Sequence, residues 1–134
     1  GDAQFQFSLG LATDSRDNII VTDHGNNRVQ VFDSTGKLLF KFGSLGDGDG
    51  EFNLPIAVTT DSGDNIIVNE LGNSRVQVFD LRGKFLFKFG SLGKGDAQLN
   101  QSVGLALDSK DRIIIADAGN DRVQIFERWW RLNP

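Results

Sequence analysis

Cysteine, methionine and tyrosine are all missing from this chain of 134 residues, and histidine occurs once, at His24. Without cysteine there is no disulfide, no zinc–thiolate site and no thiol nucleophile, and the redox compartment leaves no trace. One histidine is too few ligands for a zinc site of the usual kind within one chain. No G-x-S-x-G turn is present to carry a serine nucleophile. Without methionine the chain has no initiator residue, which reads as a processed, excised or engineered piece. Prolines number two, Pro55 and Pro134. No apolar run reaches bilayer-spanning length and no secretory leader is visible, so no membrane partner is expected. Excess positive charge is lacking as well: 14 Lys and Arg stand against 18 Asp and Glu, for a net charge of −4. A mildly acidic chain does not point to a nucleic-acid or anionic-membrane surface.

What the chain does hold is a repeat. RVQVFD runs from Arg28 to Asp33 and again from Arg75 to Asp80, and RVQIFE runs from Arg122 to Glu127, each copy 47 residues after the last. FKFGSLG appears at Phe40–Gly46 and at Phe87–Gly93, and Gly1, Gly48 and Gly95 open equivalent segments. A fixed period of this length means a modular array of one supersecondary unit. The units are about 1–47, 48–94 and 95–134, forming a single segment. Apolar residues make up 39% of the chain, with 11 Phe and 16 Gly, the balance of a folded, turn-rich protein. Aromatic and β-branched bulk favours sheet.

The second unit shows the pattern. Ile56–Thr60 is a short apolar run, followed by the turn Asp61-Ser62-Gly63-Asp64, in which Gly supplies the positive φ. Asn65–Glu70 is a β-branched run, and Leu71-Gly72-Asn73-Ser74 turns again. Arg75–Asp80 alternates with period two, Leu81-Arg82-Gly83-Lys84 turns, and Phe85–Gly90 puts Phe87 and Phe89 on one face and Lys88 on the other. Four short strands (a, b, c and d) joined by tight turns make an antiparallel meander. Strands a and b are nearly all apolar, which requires burial on both faces. Stacking the sheets face to face around an axis, as propeller blades, satisfies this. Most solenoids with units this long use helices, and no helical period is present.

Three consecutive copies of D-x-x-x-N-I-I-V-x-D/E, G-N-x-R-V-Q-V-F-D and G-K-x-L-F-K-F-G, with some departures in the third, make the chain resemble the NHL repeat family. The signature positions read Asn26-Asn27-Arg28, Asn73-Ser74-Arg75 and Asn120-Asp121-Arg122, so the middle residue departs from His each time and the third is Arg. The resemblance implies an all-β protein, a β-propeller usually of six blades, and it favours a cytoplasmic setting. Three four-stranded blades are then half of a six-bladed ring. The third lacks its outer strand, because Arg128-Trp129-Trp130-Arg131-Leu132-Asn133-Pro134 stands where GKxLFKF belongs. Nothing in the chain closes the ring, so the expected partner is itself, two copies closing one ring as a homodimer, or the missing half of a longer chain. Trp129 and Trp130 read as an apolar cover for the edge of the third blade or as interface anchors.

The repeat also separates scaffold from site. Arg28, Arg75 and Arg122 recur, as do Asp14, Asp61 and Asp108, and both sets read as structural. Gln30, Gln77 and Gln124 read as hydrogen-bonded within or between blades. Asp23, Glu70 and Asp117 end strand b and read as caps of the adjacent turn. Antiparallel strands put the d–a and b–c connections on one side. There Asp2, Asp23, Asp47, Asp49, Glu51, Glu70, Asp96, Asp117 and Asp121 outnumber Lys94 and the three arginines. Positions on this side that differ between copies are where one ligand is read. The candidates are His24, Asn27, Asp49, Glu51, Leu71, Ser74, Lys94 and Asp121. No catalytic residue, metal or cofactor is called for. GSLGDGDG and GSLGKGDA lack the spacing of a phosphate loop and read as inter-blade connections. DGDGE is too short for an EF-hand loop. The resemblance implies protein interaction, RNA binding in some relatives, and lyase or metal-dependent hydrolase chemistry in related propellers. An acidic side without tyrosine disfavours RNA. The partner expected is a protein or peptide with a basic or mixed surface. An engineered or excised propeller fragment without its own ligand is the remaining reading.

Overall fold

The computed structural model describes residue 4 and residues 8–127. Trp129 and Trp130, and the roles expected of them, lie outside the described residues.

Three antiparallel sheets follow one another along the chain. The first is β1 (Ser8–Thr13), β2 (Ile19–Asp23), β3 (Arg28–Phe32) and β4 (Leu38–Phe42), paired in chain order. The second repeats it with β5 (Pro55–Thr60), β6 (Ile66–Glu70), β7 (Arg75–Phe79) and β8 (Phe85–Phe89). The third holds β9 (Ser102–Leu107), β10 (Ile113–Asp117) and β11 (Arg122–Phe126), and no fourth strand among the described residues. Register repeats as well: Ile19 pairs with Phe32, Ile66 with Phe79 and Ile113 with Phe126. None of the described helices is long and apolar enough to cross a membrane.

The a–b turns differ from the expected chemistry in one respect. Asp64, not Gly63, takes the left-handed conformation, at φ 62°, and Asp17 and Asp111 match it at 61° and 58°. Asp is among the non-glycine residues that enter this region most readily. The b–c turns do the same through Asn27, Ser74 and Asp121, at φ 52°, 50° and 52°, rather than through glycine. Glycine is required at Gly90, where φ is +102° and a Cβ would stand 3.1 Å from both Arg75 Cα and Ser74 O.

The sheets pack face to face, and the core lies between them. The first interface buries Ile20, Val29 and Val31 against Val58, Ile66, Val68 and Phe79. The second buries Ile67, Val76 and Val78 against Ile113, Ile115 and Phe126. The middle sheet therefore serves both, and β6 and β7 are buried along their whole length, Gln77 included. Aromatic rings stitch neighbours together: Phe42 on β4 lies 4.8 Å from Phe79, and Phe89 on β8 lies 4.7 Å from Phe126. Both are tilted pairs, a favourable geometry for aromatic quadrupoles.

A candidate interaction face

The d–a and b–c connections meet at a buried carboxylate in each sheet. Asp23, Glu70 and Asp117 are fully buried and each pairs with the arginine five residues on, at 2.9, 2.6 and 2.8 Å. In the middle sheet Glu70 Oε1 accepts from the Asn53 N–H (3.0 Å) and from Asn73 Nδ2 (2.7 Å). Its Oε2 accepts from Arg75 Nε (2.6 Å) and Gln77 Nε2 (2.9 Å). Arg75 then donates to the carbonyls of Asp47, Gly48 and Glu51, at 2.6, 3.0 and 2.8 Å. The carboxylate thus ties strand b, strand c and the incoming d–a connection into one unit. Neither short helical turn, at His24–Asn26 or Ala118–Asn120, has a side-chain N-cap. The expected capping role of these acids is corrected accordingly. Each satisfies a guanidinium, buried in the case of Arg75 and half-buried in the other two, and two side-chain amides, which a turn cap alone would leave unpaired.

Protonation bears on this unit. Burial opposes ionisation of Asp117, but the Asn100 N–H and the side chains of Asn120, Arg122 and Gln124 outweigh it and hold the carboxyl below its usual range. Asp33, held by the Thr35 hydroxyl, and Asp108, held by the Arg112 N–H, move the same way. A carboxyl whose pKa is lower folded than unfolded stabilises the fold above the unfolded value and loses that contribution as pH falls through the folded one. The urea midpoint is therefore expected to stay level from neutrality to about pH 5 and to fall below about pH 4. An Asp117→Asn variant should start lower and show a shallower acid limb.

The predicted ligand-face residues divide into committed and free ones. Asn27 Oδ1 accepts from the Leu54 N–H at 2.9 Å, across the first interface. Glu51 Oε1 closes its own loop on the Gly48 N–H at 2.9 Å, a task Gln98 repeats on Gly95 at 3.0 Å. Ser74 is buried, and Leu71 is half-buried with its N–H on Leu54 O at 2.9 Å. Asp49 pairs with Lys88 at 2.7 Å, with about half of each side chain exposed. An exposed pair of that kind contributes about 0–1 kcal/mol. His24 is half-buried, not exposed as its turn position predicts, and its Nδ1 is buried without a hydrogen bond among the described residues. Lys94 and Asp121 are exposed, as are Asp47 and Asp96.

The glycine-rich connections are not phosphate cradles. Their amides are used internally: Phe52 N bonds Ser44 O at 2.7 Å and Gly46 N bonds Phe52 O at 3.0 Å, with the second copy matching. Sequence reasoning passed over Leu45 and Leu92 in these connections, which are 66% and 68% exposed. The signal was an apolar residue kept in both copies of a Gly-Ser turn. The face therefore presents two leucines, exposed acids and Lys94. Elsewhere, the first strands converge on an open groove of about 510 Å³ lined by Leu11, Ile56, Val58, Val103 and Leu105 with Gly10. No titratable side chain lines it. Among the described residues no three His, Asp or Glu groups are placed to hold a metal ion.

Meanders of this kind, packed face to face with their first strands innermost, define a partial β-propeller. The NHL repeat model matches residues 5–32 and 99–126, in the first and third units, which supports an NHL-repeat family. The chain is 40% identical over 45 residues to protein brain tumor of Drosophila melanogaster, a match covering 34% of this chain and 4% of that protein. A streptogramin B lyase structure superposes with a TM-score of 0.72 at 16% identity, covering 93% of this chain and 39% of that one. A gluconolactonase from Xanthomonas campestris gives 0.62 at 21% identity, covering 86% and 36%. At such identities the likeness speaks for the fold alone. The chain spans well under half the length of these relatives.

Proposed function

We propose that this chain is a non-catalytic interaction module, that two copies complete one six-bladed ring, and that the ring binds a basic or mixed protein or peptide surface through its d–a and b–c face. The observation that carries the ring is a pair of matched bare flanks. Val76 and Val78 are sealed under the third sheet at 0% exposure, whereas their counterparts Val123 and Ile125 are 63% and 55% exposed. On the opposite flank Val58 is 7% exposed and its counterpart Leu11 is 69%. The two interior seams bury this same pair of surfaces twice. The third pair sits on the first and third sheets, at opposite ends of the described residues, and a second copy is the occupant proposed for it. Apolar surface of this extent marks an association site. A head-to-tail contact gives a closed ring when the rotation closes, here after two copies.

The exposed acids and leucines of the d–a and b–c face support the partner class, and one lysine among them is a poor phosphate surface. The groove at the first strands offers no acid–base pair, which supports a binding role over the chemistry named for the lyase and lactonase neighbours. Sedimentation equilibrium at micromolar concentration tests the ring. The expected mass is twice the 14.7 kDa chain. A monomer, or an open ladder of larger species, overturns it.

A further inference from the structure

We infer that each closing seam is keyed by a hydrogen bond from Ser109 of one copy to the Asp17 carboxylate of the other. This deepens the ring reading and rests on it. Both interior seams carry the same clasp on the a–b turns. Ser15 donates from its N–H at 2.9 Å and its hydroxyl at 2.5 Å to the Asp64 carboxylate. Ser62 donates from its N–H and hydroxyl to Asp111 in the same manner. The partners are 49 residues apart in each case. The next donor in this series is Ser109, and the first acceptor, to which no earlier serine in the chain corresponds, is Asp17.

Both halves of the missing clasp are already in the bonding conformation. Asp17 has φ 61°, against 62° and 58° for the engaged Asp64 and Asp111. Its turn closes through Asp17 N to Asp14 O at 3.1 Å, as Asp64 closes on Asp61 and Asp111 on Asp108, both at 3.0 Å. The turn that carries Ser109 is held by Asp108, which accepts from the Lys110 and Arg112 N–H groups at 2.9 Å. Ser109 and Asp17 are exposed, and neither side chain has a hydrogen bond among the described residues. No ordering is left to be done in the backbone, so the bond forms at small entropic cost.

The clasp is directional. Its donor is on the trailing sheet and its acceptor on the leading one, so it is satisfied only when two copies meet head to tail. A two-fold pairing of third sheet with third sheet would bring Ser109 towards Ser109 and leave Asp17 unmatched.

A double-mutant cycle on the dimer dissociation constant, measured by sedimentation on dilution, tests this. Asp17→Ala and Ser109→Ala are each expected to weaken each seam about tenfold, hence the two-seam dimer about a hundredfold, and the double variant no further. Ser62→Ala, which breaks an interior clasp, should lower the urea midpoint and leave the dimer constant within about twofold. Because the chain has no cysteine, Ser109→Cys combined with Asp17→Cys gives an independent readout. Mild oxidation should yield a disulfide-linked dimer, with Ser62→Cys plus Asp111→Cys closing within one chain as the geometric control. A monomeric parent protein overturns the ring and the clasp together. A dimeric parent whose single variants bind as tightly as itself, or whose effects add in the double variant, overturns the clasp alone. So does failure of the cross-chain disulfide where the control forms.

Discussion

Glu70→Ala is expected to lower the unfolding free energy by about 3–5 kcal/mol, the cost of removing one partner from a buried ion pair. Glu70 is fully buried and accepts hydrogen bonds from four residues, Asn53, Asn73, Arg75 and Gln77. Alanine leaves a guanidinium, two amide side chains and a backbone N–H facing a void. Arg75 keeps its carbonyl acceptors on the d–a connection, but its charge is no longer compensated. A chain of this size has about 5–15 kcal/mol of stability in all, so the variant should be largely unfolded in mild urea and at modestly raised temperature. Glu70→Gln keeps one acceptor oxygen and the side-chain volume and is expected to lose less, although its N–H₂ faces donors that the carboxylate satisfied. Equilibrium urea unfolding followed by tryptophan fluorescence and far-ultraviolet dichroism measures both. A midpoint for Glu70→Ala within error of the parent would contradict the role assigned to this carboxylate.

Ile125→Glu should separate folding from assembly. In the single chain Ile125 is 55% exposed, so glutamate there meets water and the unfolding free energy of the monomer is expected to stay within about 0.5 kcal/mol of the parent. In the proposed ring the same position would be sealed against a partner's first sheet, and an unpaired charge buried at each of two seams costs several kcal/mol apiece. The dimer constant is then expected to rise by about a thousandfold or more, leaving monomer at micromolar concentration. Val78→Glu supplies the contrast. It changes the equivalent residue, which is 0% exposed under the third sheet, and it should unfold the chain outright. One chemical change at two equivalent positions thus gives opposite outcomes, and a monomer destabilised equally by both would contradict the matched-flank account.

That contrast also marks how far sequence reasoning reaches. Strand positions were legible because RVQ-V/I-F recurs with its turns, and each observed strand of the second sheet lies within a residue of its predicted run. Burial was less legible, since it is decided by the neighbour and not by the segment. The same five-residue pattern is buried throughout in β7 and alternates between half-exposed and exposed in β11 until its last residue. The left-handed residues were misplaced because Asp-Ser-Gly-Asp offers both Gly and Asp as candidates, and the repeat, with Arg16 and Lys110 at the glycine position, favours Asp. The acids at the end of strand b were misread because a carboxylate there has two competing uses. Only the fold shows Arg75 and Gln77 converging on the same oxygen atoms. Leu45 and Leu92 do not stand out among positions that differ between copies, because both copies carry leucine there.

The grip of Arg75 and Gln77 on the carbonyls of Asp47, Gly48 and Glu51 means that each connecting strip is fastened to the sheet it leads into by bonds that do not depend on its upstream peptide link. A single cut in such a strip, near exposed Leu92 or Lys94, would leave the pieces docked. A whole unit spliced in or out at the same place would find every joint ready made. Growth by tandem duplication is therefore cheap for this architecture, and the number of units sharing one polypeptide is free to drift while the joints stay fixed.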